Sequence, residues 1–369
     1  MESMHILYYY EEWDSPMYTW QRDHIFDELA RHACIIEVFN PLCFGSMEEA
    51  NEKLLKQMKE KRYDLFMTCH NESRIFIETL KNIKEIGIPM LLICFDSLMR
   101  PFMHEHVARY FDLVLVSQKD SVAEFTQRFS CKCLYSPYAA NPYLFTSKKA
   151  PEEKRMAFIG SPYGSRVRQI NLFLDKQIPF DLYSRVAGKS LETKSKTAPP
   201  KDSGLHVTQE LLRHSVGRRV LMGALKQKLK GKETLHKEGT DLRIFDPVSL
   251  HDMGELFEQY ALSLSISEAR NTGVLKKPVR ILHLRNFEIP MGRGLQFCQY
   301  FDDVAECFEE DKEIIFYRTA EEAVDKARFY MQEAQASTRM HIKLAARLRA
   351  EAEHTWYCRF KKAFEYLYR

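Results

Sequence analysis

The stretch RMAFIGSPYGSR, residues 155–166, carries the reading of the fold. Met156 to Ile159 is a short apolar run of the kind that forms a strand covered on both faces. Gly160, Ser161, Gly164 and Ser165 then lead through Arg166 into an amphipathic stretch reaching about Asp175. A strand, a tight glycine turn and a helix in that order make one unit of a parallel α/β sheet. Glycines in such a turn let the backbone approach a phosphate, and the N–H groups at the helix start favour negative charge. The spacing is neither G-x-G-x-x-G nor a Walker loop, so a plain strand-to-helix turn with a serine cap stays open as the alternative.

Upstream, the same alternation runs through the whole first part of the chain. The apolar runs HILYYY, CIIEVF, YDLFMTC, IPMLLICF and FDLVLVS are separated by helical patterns over 18–32, 47–60, 73–85 and 121–128, with a short strand near 132–135. Continuous hydrophobic strands alternating with amphipathic helices predict a parallel sheet with helices on both faces. The segment SPYAANPYLFTSKKAPEEKR carries Pro137, Pro142 and Pro151 and then turns charged, which suits a surface crossing between domains. A boundary is expected between 141 and 154, giving a first Rossmann-like domain over 1–145 and a second over 154–330.

Downstream of the quoted stretch, the strands PFDLYS, DLRIFDPVS, ALSLSIS, the LQFCQY end of FEIPMGRGLQFCQY, and EIIFYRT build the second sheet. Residues 188–209, polar and bearing Pro199 and Pro200, read as a long loop or insertion. From Ala320 to Tyr368 the apolar spacing is helical, and the segment 331–369 is expected to be able to pack back on the first domain. The fold class is therefore α/β, two Rossmann-like domains facing across a cleft, with C-terminal helices.

Composition bounds the function without naming it. With 369 residues, 45% hydrophobic, 12% aromatic and 28% charged, the chain is an ordinary folded protein of about two domains. The start MESMHILYYYEEW lacks a signal-peptide pattern and no run is long and apolar enough to span a bilayer, so a cytoplasmic location and no transmembrane segment are expected. Nine cysteines cannot all pair, and Cys131 and Cys133 lack the partners of a zinc site, so no metal is expected. A net charge of +3 does not imply a nucleic-acid partner. Locally, Arg218, Arg219, Lys226, Lys228, Lys230 and Lys232 make 213–237 basic, which reads as a solvated helix face.

A second motif, RNFEIPMGRGLQFCQY from Arg285 to Tyr300, agrees with the first. Arg285, Phe287, Glu288, Ile289 and Pro290, followed by Gly292 and Gly294, resemble the donor-domain signature of the CgeB-like, or spore-maturation-protein-like, glycosyltransferases, themselves similar to GT-B enzymes. The resemblance runs on through Tyr330, takes FIGSPYGSR as the family's strand and glycine turn, and reaches EHTW at Glu353 to Trp356. It implies a nucleoside diphosphate sugar as donor, with no cofactor, held on the second domain by Gly160, Ser161, Gly164, Arg166, Arg285, Glu288, Gly292 and Gly294. Glu288 matches the second acidic position of the retaining Glu-x7-Glu pattern, which contacts ribose. The first position falls on Arg280, so the sugar contact made there in other families does not carry over. Taken alone, Glu288 is also a helix-cap candidate and Arg285 a surface ion-pair candidate.

On the first domain, His70 follows YDLFMTC and Asp96 follows MLLICF, both at strand C-termini where ligands of such sheets bind. A histidine there is a candidate proton shuttle and an aspartate a candidate base for an acceptor hydroxyl, with Glu11, Glu12 and Asp14 as weaker candidates. GT-B chemistry needs no divalent ion in principle, since Arg, Lys and helix-end N–H groups can take the leaving-group charge. The expected function is transfer of a sugar from a nucleoside diphosphate sugar to a glycan, protein or small-molecule hydroxyl. Alternatives are a nonenzymatic nucleotide- or carbohydrate-binding protein of the same fold, an NAD enzyme disfavoured by the missing fingerprint, and a membrane-peripheral scaffold using 213–237.

Overall fold

The computed structural model of the chain describes residues 3–13, 16–147, 151–184, 204–231 and 233–368. Asp14, Lys232 and most of the expected loop, 188–203, lie outside them. The chain divides into two compact units, one formed by residues 1–141 with 355–369 and the other by 142–354.

The first unit contains β1 (Met4–Tyr9), α1 (Pro16–Gln21), α2 (Asp27–Arg31), β2 (Cys34–Phe39), α3 (Met47–Glu60), β3 (Leu65–Thr68), α4 (Ile77–Ile86), β4 (Met90–Cys94), β5 (Leu113–Val116), α5 (Ser121–Gln127) and β6 (Cys133–Tyr135). Its strands pair in the order β2-β1-β3-β4-β5-β6, every pair parallel. The apolar runs of the sequence become strands buried from end to end, as in β3 and β4, because helices cover both faces. Helix α3 shows how sharply sequence sets an element. Ser46 caps it by accepting from the Glu49 N–H at 3.2 Å, and Ala50, Leu54 and Met58 recur at four-residue spacing to face the sheet.

The second unit contains β7 (Glu153–Ile159), α6 (Ser165–Leu174), β8 (Phe180–Tyr183), α7 (Gly204–Arg213), α8 (Ser215–Lys230), β9 (Leu242–Phe245), α9 (Leu250–Gln259), β10 (Tyr260–Ser265), α10 (Arg285–Met291), β11 (Gln296–Gln299), α11 (Asp302–Ala305), β12 (Ile315–Tyr317), α12 (Ala320–Tyr330) and α13 (Ala336–Glu353). A last helix, α14 (Trp356–Leu367), belongs to the first unit. The second sheet is also parallel, in the order β12-β11-β10-β7-β8-β9. The sequence places 204–209 in a loop, whereas these residues open α7; Leu205 and Leu212, seven residues apart, continue the helical spacing that the preceding polar run obscures.

In each sheet the chain leaves its first strand to one side and then returns to the other. That reversal opens a crevice at the strand C-termini between β1 and β3 in the first unit, and between β7 and β10 in the second.

The long helical tail splits between the units for reasons visible in its polar groups. Arg339 of α13 is 1% exposed; it pairs with Glu152 and donates to the carbonyls of Tyr330 at 2.6 Å and Gln332 at 2.8 Å. Lys343 donates to Glu152 at 2.7 Å and to the carbonyls of Glu258 and Tyr260. Two buried cations whose donors are met this way hold α13 in the second unit, since leaving either unpaired is strongly destabilising. Beyond His354 the partners change. The buried carboxylate of Glu28 on α2 accepts from the N–H groups of Trp356 at 3.0 Å and Tyr357 at 3.1 Å, so an acidic side chain closes the start of α14. Arg359 donates to the carbonyls of Pro137 at 3.1 Å and Tyr138 at 3.3 Å.

Truncating Glu28 to alanine strips two buried donors of their acceptor. We expect Glu28→Ala to lower the stability of the first unit by roughly 2–4 kcal/mol, with hydrogen exchange accelerating in the amides of α14 and not in those of α13. Equal acceleration in both helices contradicts this anchoring.

Candidate functional site

The crevice of the second unit lies where β7 and β10 run side by side and their loops leave in opposite directions. The loop after β7 is Gly160–Gly164, closing into α6; the loop after β10 runs from Ile266 to Leu284, closing into α10. They interlock. Gly164 has φ +56° and a Cβ there falls 2.6 Å from Asn271 Oδ1, so only glycine fits. Ser165 donates to Glu268 at 3.1 Å, and a Cβ on Gly273 lands on Glu268 and Ser165.

Arg285 ties the second loop to the first strand. Its Nε donates to the carbonyl of Ile159, the last residue of β7, at 3.1 Å, and its Nη1 pairs with Glu288 one turn along α10. Glu288 is 1% exposed, so the pair is a half-open guanidinium backed by a buried carboxylate. Arg166 stands in the first turn of α6, its guanidinium 4.5 Å from the centroid of Tyr163, and Arg270 stacks on the same ring at 5.9 Å. Burial pulls the Arg166 pKa down, against Tyr163, with Arg285 adding repulsion. Two cations close enough to repel each other, beside backbone at a strand end, are an arrangement that can meet a ligand with more than one negative charge.

Beneath them lies a closed polar network. His283 Nε2 faces the carbonyl of Ile266 at 3.1 Å and its Nδ1 accepts from the Arg285 N–H at 3.2 Å, which fixes the proton on Nε2. Asn286, fully buried, accepts from the His283 N–H at 3.0 Å and from Ser267 at 3.2 Å. Burial, with Arg166 and Arg285 nearby, pushes the His283 pKa down to about 3, so the ring is neutral and acts as a fixed strut for the start of α10.

Of the residues that the sequence singles out on this unit, Gly160, Ser161, Gly164, Arg166, Arg285 and Glu288 come together here. Gly292 and Gly294 do not. They fall between α10 and β11, at the strand N-termini, the opposite edge of the sheet. Their α-carbons are held under Phe257 and Ile289, where a Cβ falls 2.9 Å from Phe257 Cδ2 at Gly292 and 2.8 Å from Ile289 Cγ2 at Gly294. They are packing glycines for the α9–α10 contact, and Arg293 between them faces Glu258 at 3.7 Å. Tyr163, Glu268, Asn271, Gly273, His283 and Asn286 were not picked out from the sequence. The signal for the loop residues was positional, since 266–273 directly follows the strand that pairs with β7.

In the first unit the β1/β3 crevice holds His70. Its Nε2 accepts from the Glu11 N–H at 2.9 Å, so the two crevice loops are joined through that ring and its proton sits on Nδ1. Burial pushes its pKa down to about 3, helped by Arg74 and His104. The expected proton shuttle is not met by this atom: the one basic nitrogen is committed to a backbone donor. Glu11, buried, pairs with Arg74 and is likewise committed. Asp96 is solvent-accessible just beyond β4; burial of its surroundings raises its pKa, with Arg100 pulling the other way. It keeps an accessible carboxylate with raised basicity, the property a general base requires.

Residues 210–365 match the family described as glycosyl transferase-like. No curated protein matches the chain by sequence. Among solved structures, the chain is similar to a glycosyltransferase from Rickettsia africae ESF-5 at 10% identity, with 99% of this chain and 98% of that one covered and a TM-score of 0.60. It is similar to sucrose-phosphate synthase from Thermosynechococcus elongatus at 10% identity, 98% and 98% coverage and a TM-score of 0.59. The Anabaena protein HepE, solved with UDP-glucose, aligns at 12% identity over 98% of each chain with a TM-score of 0.57. The likeness spans the whole chain and makes the fold GT-B-like.

His283 stays unprotonated in the folded chain down to about pH 3, whereas in the unfolded chain it titrates near its ordinary 6.5. The unfolded state therefore binds the extra proton first, and stability is lost as pH falls from 6.5 towards 3. Between pH 7 and pH 5 this withdraws about 2 kcal/mol per such histidine. We expect urea unfolding to show that loss in the parent and a loss smaller by about that amount in His283→Gln; identical pH dependence contradicts the neutral strut.

Proposed function

We propose that this chain is a glycosyltransferase of the CgeB-like kind, which binds a nucleoside diphosphate sugar in the β7/β10 crevice and passes the sugar to an acceptor hydroxyl. The observation that carries the reading is Arg285, anchored to the end of β7 by the Ile159 carbonyl and to α10 by Glu288, with Arg166 in the first turn of α6 near enough to repel it. The glycosyl transferase-like match over 210–365 covers β10, its loop and α10, and a fold-mate solved with UDP-glucose supports the same class of donor.

In this mechanism the bond between the anomeric carbon and the diphosphate oxygen breaks, and its electron pair leaves with the phosphate. Arg166 and Arg285 take that charge. They are fixed before the reaction, so little reorganisation is needed as charge develops. The acceptor oxygen forms the new bond to the anomeric carbon and gives its proton to a general base, the role for which Asp96 of the first unit is the candidate. His70 holds the β1 and β3 loops in register and offers Nδ1–H as a donor. Glu288 acts by holding the Arg285 fork in place, a job different from the ribose contact that the resemblance implies. All nine cysteines are free thiols, compatible with the cytoplasmic location we propose.

A thermal-shift panel of nucleoside diphosphate sugars identifies the donor, since binding to the native state alone raises the transition temperature. With that donor, calorimetry on folded variants tests the roles. Arg285→Ala and Arg166→Ala are each expected to weaken nucleoside diphosphate binding by about 1.5–3 kcal/mol, roughly tenfold to a hundredfold or more, with little effect on the free nucleoside. Glu288→Gln is expected to follow Arg285→Ala in kind, and the two losses to be non-additive in the double variant. Weakened binding of the free nucleoside by Glu288→Gln instead returns Glu288 to the ribose. A parent that binds the sugar nucleotide but releases no nucleoside diphosphate with any acceptor is a binding protein.

A further inference from the structure

Helix α8 turns an apolar face to solvent. Met222, Leu225 and Leu229 are 52%, 60% and 79% exposed, and their spacing of three and four residues sets them in one line along the helix. The opposite side is the packed one: Gly217 and Gly223 are buried, and a Cβ on Gly223 falls 2.5 Å from the Asn271 carbonyl oxygen. On α7, Leu205 and Leu212, two turns apart, are 80% and 53% exposed. Single exposed leucines are ordinary; a line of them facing away from the packed side of a helix is not.

On α8 the charges around that line are all of one sign. Lys226 and Lys230 flank it on one side, Lys228 on the other, and Arg218 stands at its start, all exposed. From Ser215 to Lys230 there is no acidic residue. A leucine line edged by lysines whose stems can reach past it is the pattern of a helix lying in a bilayer interface, its apolar side chains among the acyl chains and its ammonium groups at the headgroups. A second copy meeting this surface across a two-fold axis sets cation against cation, and a nucleic acid leaves the leucines without an apolar partner.

We infer that the outer face of α8, with Leu205 and Leu212 of α7, docks this protein on an anionic lipid bilayer. The inner face of the same helix packs on the Asn271–Val274 loop of the β7/β10 crevice, and Arg219 donates to the Lys277 carbonyl beside it, so docking brings that crevice to the lipid surface. The docking stands independently of the transferase reading, because it uses none of the residues assigned to donor or acceptor.

Flotation of the full chain with vesicles tests it. The parent is expected to float with vesicles of phosphatidylcholine mixed with phosphatidylglycerol, to bind phosphatidylcholine alone far less, and to be released in part by salt. Leu225→Ser with Leu229→Ser is expected to lower the partition coefficient on the order of a hundredfold. Lys226→Gln, Lys228→Gln and Lys230→Gln together are expected to lower it by a similar factor and to erase the preference for the anionic vesicle. These exposed positions leave thermal unfolding unchanged. A parent that ignores the mixed vesicles, variants that float as the parent does, or a parent dimer in size-exclusion chromatography that the serine variant turns into monomer would each overturn the proposal.

Discussion

A parallel sheet whose chain starts in the middle must choose a side and later reverse, and the reversal is the constraint on which this molecule is built. At the reversal two neighbouring strands send their loops apart, so no crossover covers the strand ends between them. In the second unit those strands are β7 and β10. Everything gathered there follows: the Gly160–Gly164 turn, the loop carrying Glu268 to Gly273, and α10 with Arg285 and Glu288. A backbone carbonyl at the end of β7, that of Ile159, is left pointing into the crevice, and the Arg285 guanidinium is the group that answers it.

Burying Glu288 beneath Arg285 decides how the site behaves electrically. A carboxylate at 1% exposure is tolerated only with its charge met, and the guanidinium one turn before it supplies that charge. The pair leaves one arginine whose orientation is set by a buried partner and a second, Arg166, set by stacking on Tyr163. Neutral His283 between the backbone of Ile266 and Arg285 adds rigidity without adding to the repulsion of the two cations. In the first unit the same topology places a neutral histidine at the equivalent reversal, but there the ring itself joins the two loops through the Glu11 amide.

The alternation of buried strands with amphipathic helices was legible because it depends only on side-chain period, and each run from HILYYY to EIIFYRT became a strand of one of the two sheets. The glycine turn after β7 and the pairing partners Arg285 and Glu288 were legible for the same reason, since they sit one step beyond a readable element. Gly292 and Gly294 show the limit. A glycine pair is permissive wherever backbone meets a neighbour closely, and sequence does not say whether the neighbour is a phosphate or, as here, Phe257 and Ile289. His70 shows another: its place at a strand end was readable, but the donor that takes its basic nitrogen comes from a loop 59 residues away in sequence. The leucines of α8 were hidden inside a basic run whose charges drew the reading, and only burial separates the packed side of that helix from its solvent face.

The proposed transfer depends on a diphosphate held between Arg166 and Arg285 at the end of β7. A crystal structure of the protein with a bound nucleoside diphosphate measures this directly. The expected result is two phosphates over the Gly160–Gly164 turn, within hydrogen-bond distance of both guanidinium groups, with Glu288 still behind Arg285. A nucleotide bound elsewhere on the chain, or one whose phosphates touch neither arginine, contradicts it.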